Sequence, residues 1–93
     1  MQIRYYIDPV TDQPHIYNHD VSEQEVEDIL ARPRQDIEGR EDSRIALGQT
    51  EEGRYLKVIY APDPLPESVF VITAYELGPK AKRALRRSRR RKR

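Results

Sequence analysis

Residues 21–33 read VSEQEVEDILARP, and this stretch decides the fold. Ser22 and Glu25 have the spacing of a capping box, in which each side chain satisfies the other's free backbone N–H. Val21 before the cap and Val26 four positions after it form a hydrophobic staple. Glu23, Glu25, Glu27 and Asp28 place negative charge at the positive end of the helix dipole. Val26, Ile29 and Leu30 fall on one face, and Pro33 stops the run. The spacing predicts a helix over 22–32 with a single apolar stripe. Such a helix needs an apolar sheet face to cover.

The flanking sequence supplies one. Upstream, Ile3, Tyr5 and Ile7 alternate with Gln2, Arg4 and Tyr6, the period of a half-buried strand. Asp8 to Pro14 then reads as a turn. Downstream, residues 34–42 suggest a short edge strand or loop around Ile37. Ile45 and Leu47 share a strand face, Glu51-Glu52-Gly53 suits a hairpin loop, and Arg54–Ala61 returns. In that strand Leu56, Val58 and Tyr60 face one way, and Tyr55, Lys57 and Ile59 the other. Residues 62–66 form a proline-rich connector. Val69–Tyr75 carries no charge and reads as a central strand covered on both faces. The expected class is α+β: four or five mostly antiparallel strands packed with one main helix, in the order β-α-β-β-β, with room for one more strand.

Charge divides the chain. Of its 93 residues, 17 are Lys or Arg and 16 Asp or Glu, so the formal charge is only +1. Ten of the cations are Lys80, Lys82, Arg83, Arg86, Arg87, Arg89, Arg90, Arg91, Lys92 and Arg93, a segment without an acid. Residues 1–79 keep seven cations against all sixteen acids, a formal −9. The expected organisation is an acidic domain over 1–79 and a cationic tail over 80–93, partly helical to about Arg87 and disordered beyond Ser88. Cysteine is absent, which removes disulfides, thiolate catalysis and Cys-based zinc sites. No apolar run reaches the roughly 20 residues of a membrane span, and the N-terminal segment has no apolar signal core. A cytoplasmic location without membrane partners is expected.

His19-Asp20-Val21-Ser22, leading into Glu25-Val26, Leu30 and Pro33, resembles the H-G-V-S opening of the BrnT-like toxins. Arg44, Leu47-Gly48, Leu56, Val58-Ile59-Tyr60 and Val71-Ile72-Thr73-Ala74 continue that order, so the resemblance spans roughly residues 15–77. Related small domains end their last strand in a T-x-Y pattern, as Thr73-Ala74-Tyr75 does here. The resemblance implies a RelE-like fold, cleavage of RNA without a metal, and a cognate antitoxin that blocks the active surface. Two features depart from the BrnT pattern. Tyr75 stands where those toxins carry the Arg of an S-A-R segment, and the body is acidic where theirs is basic.

Cleavage of RNA through the ribose 2′-OH needs a base, an acid and cations for the charged transition state. His19 suits the proton transfers because imidazole titrates near neutrality. Arg44, Arg54 and Lys57 are candidates for the phosphate, and Tyr75 or Tyr60 for stacking or for orienting a hydroxyl. Each also has a plain structural alternative: a hydrogen bond near the helix start for His19, solvated strand faces for the cations, packing for the tyrosines. His15 and His19, four apart, align as metal ligands only on a helix, which Pro14 and the Ser22 cap disfavour; no metal or cofactor is expected. The tail suits polyanions through counterion release, with RNA or the ribosome as partner. A non-catalytic nucleic-acid-associated domain is the alternative to a ribonuclease, and a tail docked on its own acidic body is a third.

Overall fold

A computed structural model describes residues 2–65 and 67–91. Helix α1 runs Glu23–Ala31, and its start is the one the sequence dictates. Ser22 Oγ accepts from Glu25 N at 3.1 Å, and Glu25 Oε1 accepts from Ser22 N at 3.0 Å. The chain arrives through a 3-10 turn, His15–His19, which Asp20 closes at φ 60°. Ser22→Ala should lower unfolding free energy by about 1 kcal/mol in urea titration, because it orphans the Glu25 N–H.

The strands are β1 Gln2–Tyr5, β2 Ile7–Asp8, β3 Gln13–Pro14, β4 Gln35–Glu38, β5 Arg44–Gln49, β6 Tyr55–Pro62 and β7 Ser68–Glu76. Five form a mixed sheet in the order β1-β7-β6-β5-β4; β2 and β3 pair separately as a small hairpin. β4, β5, β6 and β7 are mutually antiparallel neighbours, and β1 joins β7 in parallel. Gly53 turns the β5–β6 hairpin at φ +99°, a conformation that a side chain resists. β4 is the short edge strand that the sequence allowed as one of two readings.

Three sequence expectations change. The first strand ends at Tyr5. Ile7 belongs to the hairpin and is exposed, because Tyr6 N bonds Val71 O while Tyr6 O accepts from His15 N. β7 lies one place in from the edge, with one face in the core and the other half-buried. Val71 and Ala74 are fully buried three residues apart, since the pairing shifts between Ile59 and Tyr60 and leaves Ile72 unpaired. The cationic tail is a second helix, α2 Pro79–Arg91, longer than the stripe of Ala81, Ala84 and Leu85 suggested. Lys92 and Arg93, and the side chains of Arg89, Arg90 and Arg91, lie outside the described residues.

The helices take opposite faces. Ile16, Val21, Val26 and Ile29 close over Ala46, Leu56, Val58, Val71 and Ala74 to form the core. The row Gln35, Leu47, Lys57 and Tyr75, each paired with the next, points the other way. α2 lies on that side. Leu85 is buried, Gln35 Nε2 donates to Ser88 Oγ at 2.7 Å, and Lys82 Nζ sits 5.4 Å from the Tyr55 ring centroid. Packing on the sheet offsets the like-charge repulsion that argues against this helix in isolation. Among the described residues no ion pair joins α2 to the acidic body, and Lys80, Arg83, Arg86 and Arg87 are exposed.

One surface lock ties the Pro62–Glu67 connector to β1. Arg4 forks onto Asp63 with two contacts of 2.9 Å, and Ser68 Oγ donates to the same carboxylate at 2.7 Å. Arg4 first, then Ser68, hold the Asp63 pKa down at about 2 against the opposing effect of burial. A depressed carboxylate stabilises the fold above its unfolded pKa, near 4, and that contribution fades as pH falls through about 2. Arg4→Gln should therefore lower the urea midpoint near neutrality, and the gap from the parent protein should close in strong acid.

Candidate functional site

Five body residues were singled out for chemistry, and the sheet register sorts them into three places. Arg44 pairs with Tyr60 on the core side of the sheet. Its Nε donates to Asp36 Oδ1 at 2.8 Å and its Nη2 to the Asp36 carbonyl at 2.9 Å, while Tyr60 Oη donates to Asp36 Oδ2. Asp36 holds Arg44 more firmly protonated, and burial followed by Asp36 raises the Tyr60 pKa. This is a closed ion pair that clamps β4 to β5 and β6. It engages two of the three guanidinium nitrogens, and the side chain stays partly exposed.

Arg54 stands at the mouth of β6, beside the start of α1. One of its nitrogens donates to the Asp20 carbonyl at 2.8 Å and to both Glu25 oxygens at 2.9 and 3.0 Å. Its Nε lies 3.5 Å from Glu76. Partial burial opposes its charge, but Glu25 and Glu76 outweigh that and raise its pKa. Around it lies a cleft of about 840 Å³ whose lining includes Asp20, Glu25, Asp28, Glu51 and Glu52. Arg54 is the cation that ties together the walls of an acidic cleft. Asp20 holds the left-handed conformation that glycine adopts freely, at the position where the resembled H-G-V-S motif carries Gly.

His19, Lys57 and Tyr75 come together on the other side. Lys57 and Tyr75 are cross-strand partners in the β6–β7 register, so their side chains stand adjacent. Lys57 Nζ lies 3.4 Å from Tyr75 Oη and 5.4 Å from its ring centroid. The His19 ring also packs against Tyr75, centroids 5.6 Å apart and tilted by 58°. β1 stops short of this half of β7, which leaves the edge open for the 3-10 turn that presents His19. His15 continues the row, 5.3 Å from His19 in an edge-on contact. The sequence reading named His19, Lys57 and Tyr75 separately and gave His15 no part in cleavage. Only the three-dimensional turn shows the two imidazoles as neighbours.

This row can transfer protons at imidazole nitrogens, place an ammonium against an anion and present aromatic edges to a base. On the same side of the sheet, Arg34 and Lys82 flank the Tyr55 ring at 5.1 and 5.4 Å. The exposed α2 residues Lys80, Arg83, Arg86 and Arg87 extend the positive surface. The molecule thus has an acidic flank at Arg54 and a cationic, aromatic flank at Lys57 and α2. Among the described residues no three His, Asp or Glu side chains are grouped to hold a metal ion, and no helix is long and apolar enough to cross a membrane.

Neither a search of curated proteins nor one of solved structures finds a significant match to the chain. A family model does match, over residues 16–76, and its description is Domain of unknown function (DUF4258). That segment includes His19, Lys57 and Tyr75 together with the strands and turn that bring them into contact, and it stops before α2. The chain belongs to the DUF4258 family.

Proposed function

We propose that this domain cleaves RNA without a metal, as the RelE-like toxins it resembles do, and that a cognate antitoxin restrains it. The observation that carries the reading is the His19–Tyr75–Lys57 row. It unites an exposed proton-transfer group with a half-buried cation and aromatic ring. In the reaction the 2′-oxygen attacks the adjacent phosphorus, the P–O5′ bond breaks, and a 2′,3′-cyclic phosphate and a 5′-hydroxyl result. His19 transfers a proton in that step. Lys57 neutralises the pentacoordinate phosphate, and Tyr75 separates and orients the two. Lys57 thereby supplies, from the neighbouring strand, the cation that the Tyr75 position lacks relative to the BrnT pattern.

α2 supplies affinity. Lys and Arg side chains on one exposed helix displace counterions from phosphates without reading sequence. Leu85, Lys82 and Ser88 hold it to the sheet, so deleting it would uncover the Tyr55 and Gln35 region as well as remove charge. The cleaner experiment neutralises Arg83, Arg86 and Arg87 to Gln. Binding of single-stranded RNA should weaken, and the slope of log K against log salt should flatten by about 0.7 for each phosphate that is no longer neutralised. The same protein, incubated with RNA in EDTA, should cut it.

A second reading keeps the interface and drops the chemistry. The Arg34–Tyr55–Lys82 arrangement supports it, because that cation–aromatic surface can hold RNA with no catalytic group nearby. Salt-dependent binding without cleavage, and with His19→Ala binding as well as the parent, selects this reading over the first.

A further inference from the structure

The chain has two histidines, and the scheme above uses one of them. His15 is held by a group of its own. Its Nδ1 lies 3.2 Å from Asp8 Oδ2, and Asn18 Nδ2 donates to that same oxygen at 2.6 Å. The Asn18 nitrogen is also 3.3 Å from His15 Nδ1. An amide NH₂ offers no lone pair to the imidazole, and a carboxylate only accepts. The Asp8 contact is a hydrogen bond when His15 Nδ1 carries the proton and donates it, and the Asn18 NH₂ then serves Asp8 Oδ2, its shorter contact. Neutral His15 then has a bare Nε2, and among the described residues Nε2 has no hydrogen-bond partner.

Asp8 is well suited to the role. The backbone N–H of Val10 donates to its Oδ1 at 2.8 Å, and that contact first, then Asn18, lowers its pKa, so it is a carboxylate at neutral pH. The side chain is only 13% exposed, whereas His15 keeps 31% of its side-chain surface open. Tyr6 from the β1–β2 link and His19 from the 3-10 turn flank the His15 ring, at 6.0 and 5.3 Å between centroids. His19 in turn faces Tyr75, with Lys57 beyond it.

We infer that His15 is the general base of the cleavage, paired with His19 as the acid, and that Asp8 is its positioning residue. The inference rests on the RNA-cleavage reading and completes it, since cleavage needs both a base and an acid and one imidazole cannot serve as both in a single step. His15 Nε2 takes the proton of the 2′-OH as the 2′-O–P bond forms. His19, entering as the imidazolium, gives its proton to O5′ as the P–O5′ bond breaks. Protons and electrons balance with no further reactant. Asp8 fixes the tautomer of His15 and faces the imidazolium that forms, the part an orienting carboxylate plays wherever a histidine serves as base. Asp8 and His15 both lie outside the segment that the family model matches; the first residue of the 3-10 turn is the base, and the small β2–β3 hairpin contributes the carboxylate that positions it.

The test uses the full chain and three variants, His15→Gln, His19→Gln and Asp8→Asn, each checked for a native-like amide spectrum. The parent should show a bell-shaped pH dependence of kcat/KM on an RNA oligonucleotide. His15→Gln should lose about 10²–10⁴-fold and one limb of the bell. A substrate with sulfur in place of O5′ has a leaving group that needs no proton; it should restore His19→Gln but leave His15→Gln slow. Long-range ¹⁵N spectra should show neutral His15 protonated at Nδ1 in the parent and a mixture of tautomers in Asp8→Asn, whatever the activity. Full activity with both limbs intact in His15→Gln overturns the role of His15 and spares the ribonuclease reading. Protonation of neutral His15 at Nε2 does the same. A parent protein with native spectra that cuts no RNA overturns the ribonuclease reading itself, and the base assignment with it.

Discussion

His19→Ala should slow RNA cleavage by about 10²–10⁴-fold while leaving RNA affinity and the urea midpoint nearly unchanged. The split follows from where His19 sits. It is exposed at the end of the 3-10 turn and touches Tyr75 by its ring, and the core residue of that turn is Ile16. Removing an exposed ring costs the fold little, because the chain enters α1 through Val21 and the Ser22 cap. The proposed RNA affinity of α2 rests on separate residues. Cleavage and binding should therefore come apart: His19→Ala loses the first, neutralised α2 weakens the second. Single-turnover rates and filter binding on the same oligonucleotide measure both.

Ile29→Ala should lower unfolding free energy by about 2–5 kcal/mol, a large share of what so small a domain has. Ile29 has no exposed surface and reaches across to β5, where its Cδ1 lies opposite Gly48. The cavity lies between α1 and the sheet and is bounded by residues that the backbone holds apart, so collapse recovers little. Urea titration with an unchanged slope would show the loss to be one of stability rather than of altered unfolding. The exposed Ile37 on β4, truncated in the same way, should change stability far less.

These two residues mark how far the sequence can be read. The stripe that contains Ile29 is local, since helix period, cap and staple all lie within 21–33, and the structure reproduces each of them. The β5–β6 hairpin was similarly legible from alternation and from Gly53. Parallel pairing of β1 with β7 was not, because it joins residues more than sixty positions apart and neither strand carries a mark of its partner. α2 was missed in length because its like charges oppose a helix, and the force that overrides them is tertiary contact with Tyr55 and Gln35. At the site, Lys57 and Tyr75 become neighbours only once the β6–β7 register is known, with its shift after Ile59. Arg44 and Arg54 looked equivalent to Lys57 as strand cations. Asp36 and Glu25, which neutralise them, come from other elements and could not be assigned from spacing. Pro14 and the Ser22 cap argue against a helix around His15, yet the structure sets His15 and His19 on one 3-10 turn that Pro14 begins, and Asp8, the partner of His15, emerges only with the hairpin.

The central claim is that the edge carrying His19, Lys57 and Tyr75 cuts RNA through its own 2′-OH. The most direct measurement is mass spectrometry of the ends produced when the purified chain acts, in EDTA, on an RNA oligonucleotide and on DNA of the same sequence. The account predicts 2′,3′-cyclic phosphate and 5′-hydroxyl ends from the RNA and intact DNA. Ends bearing a 5′-phosphate, equal cutting of DNA, or no cutting until a divalent metal is added would contradict it.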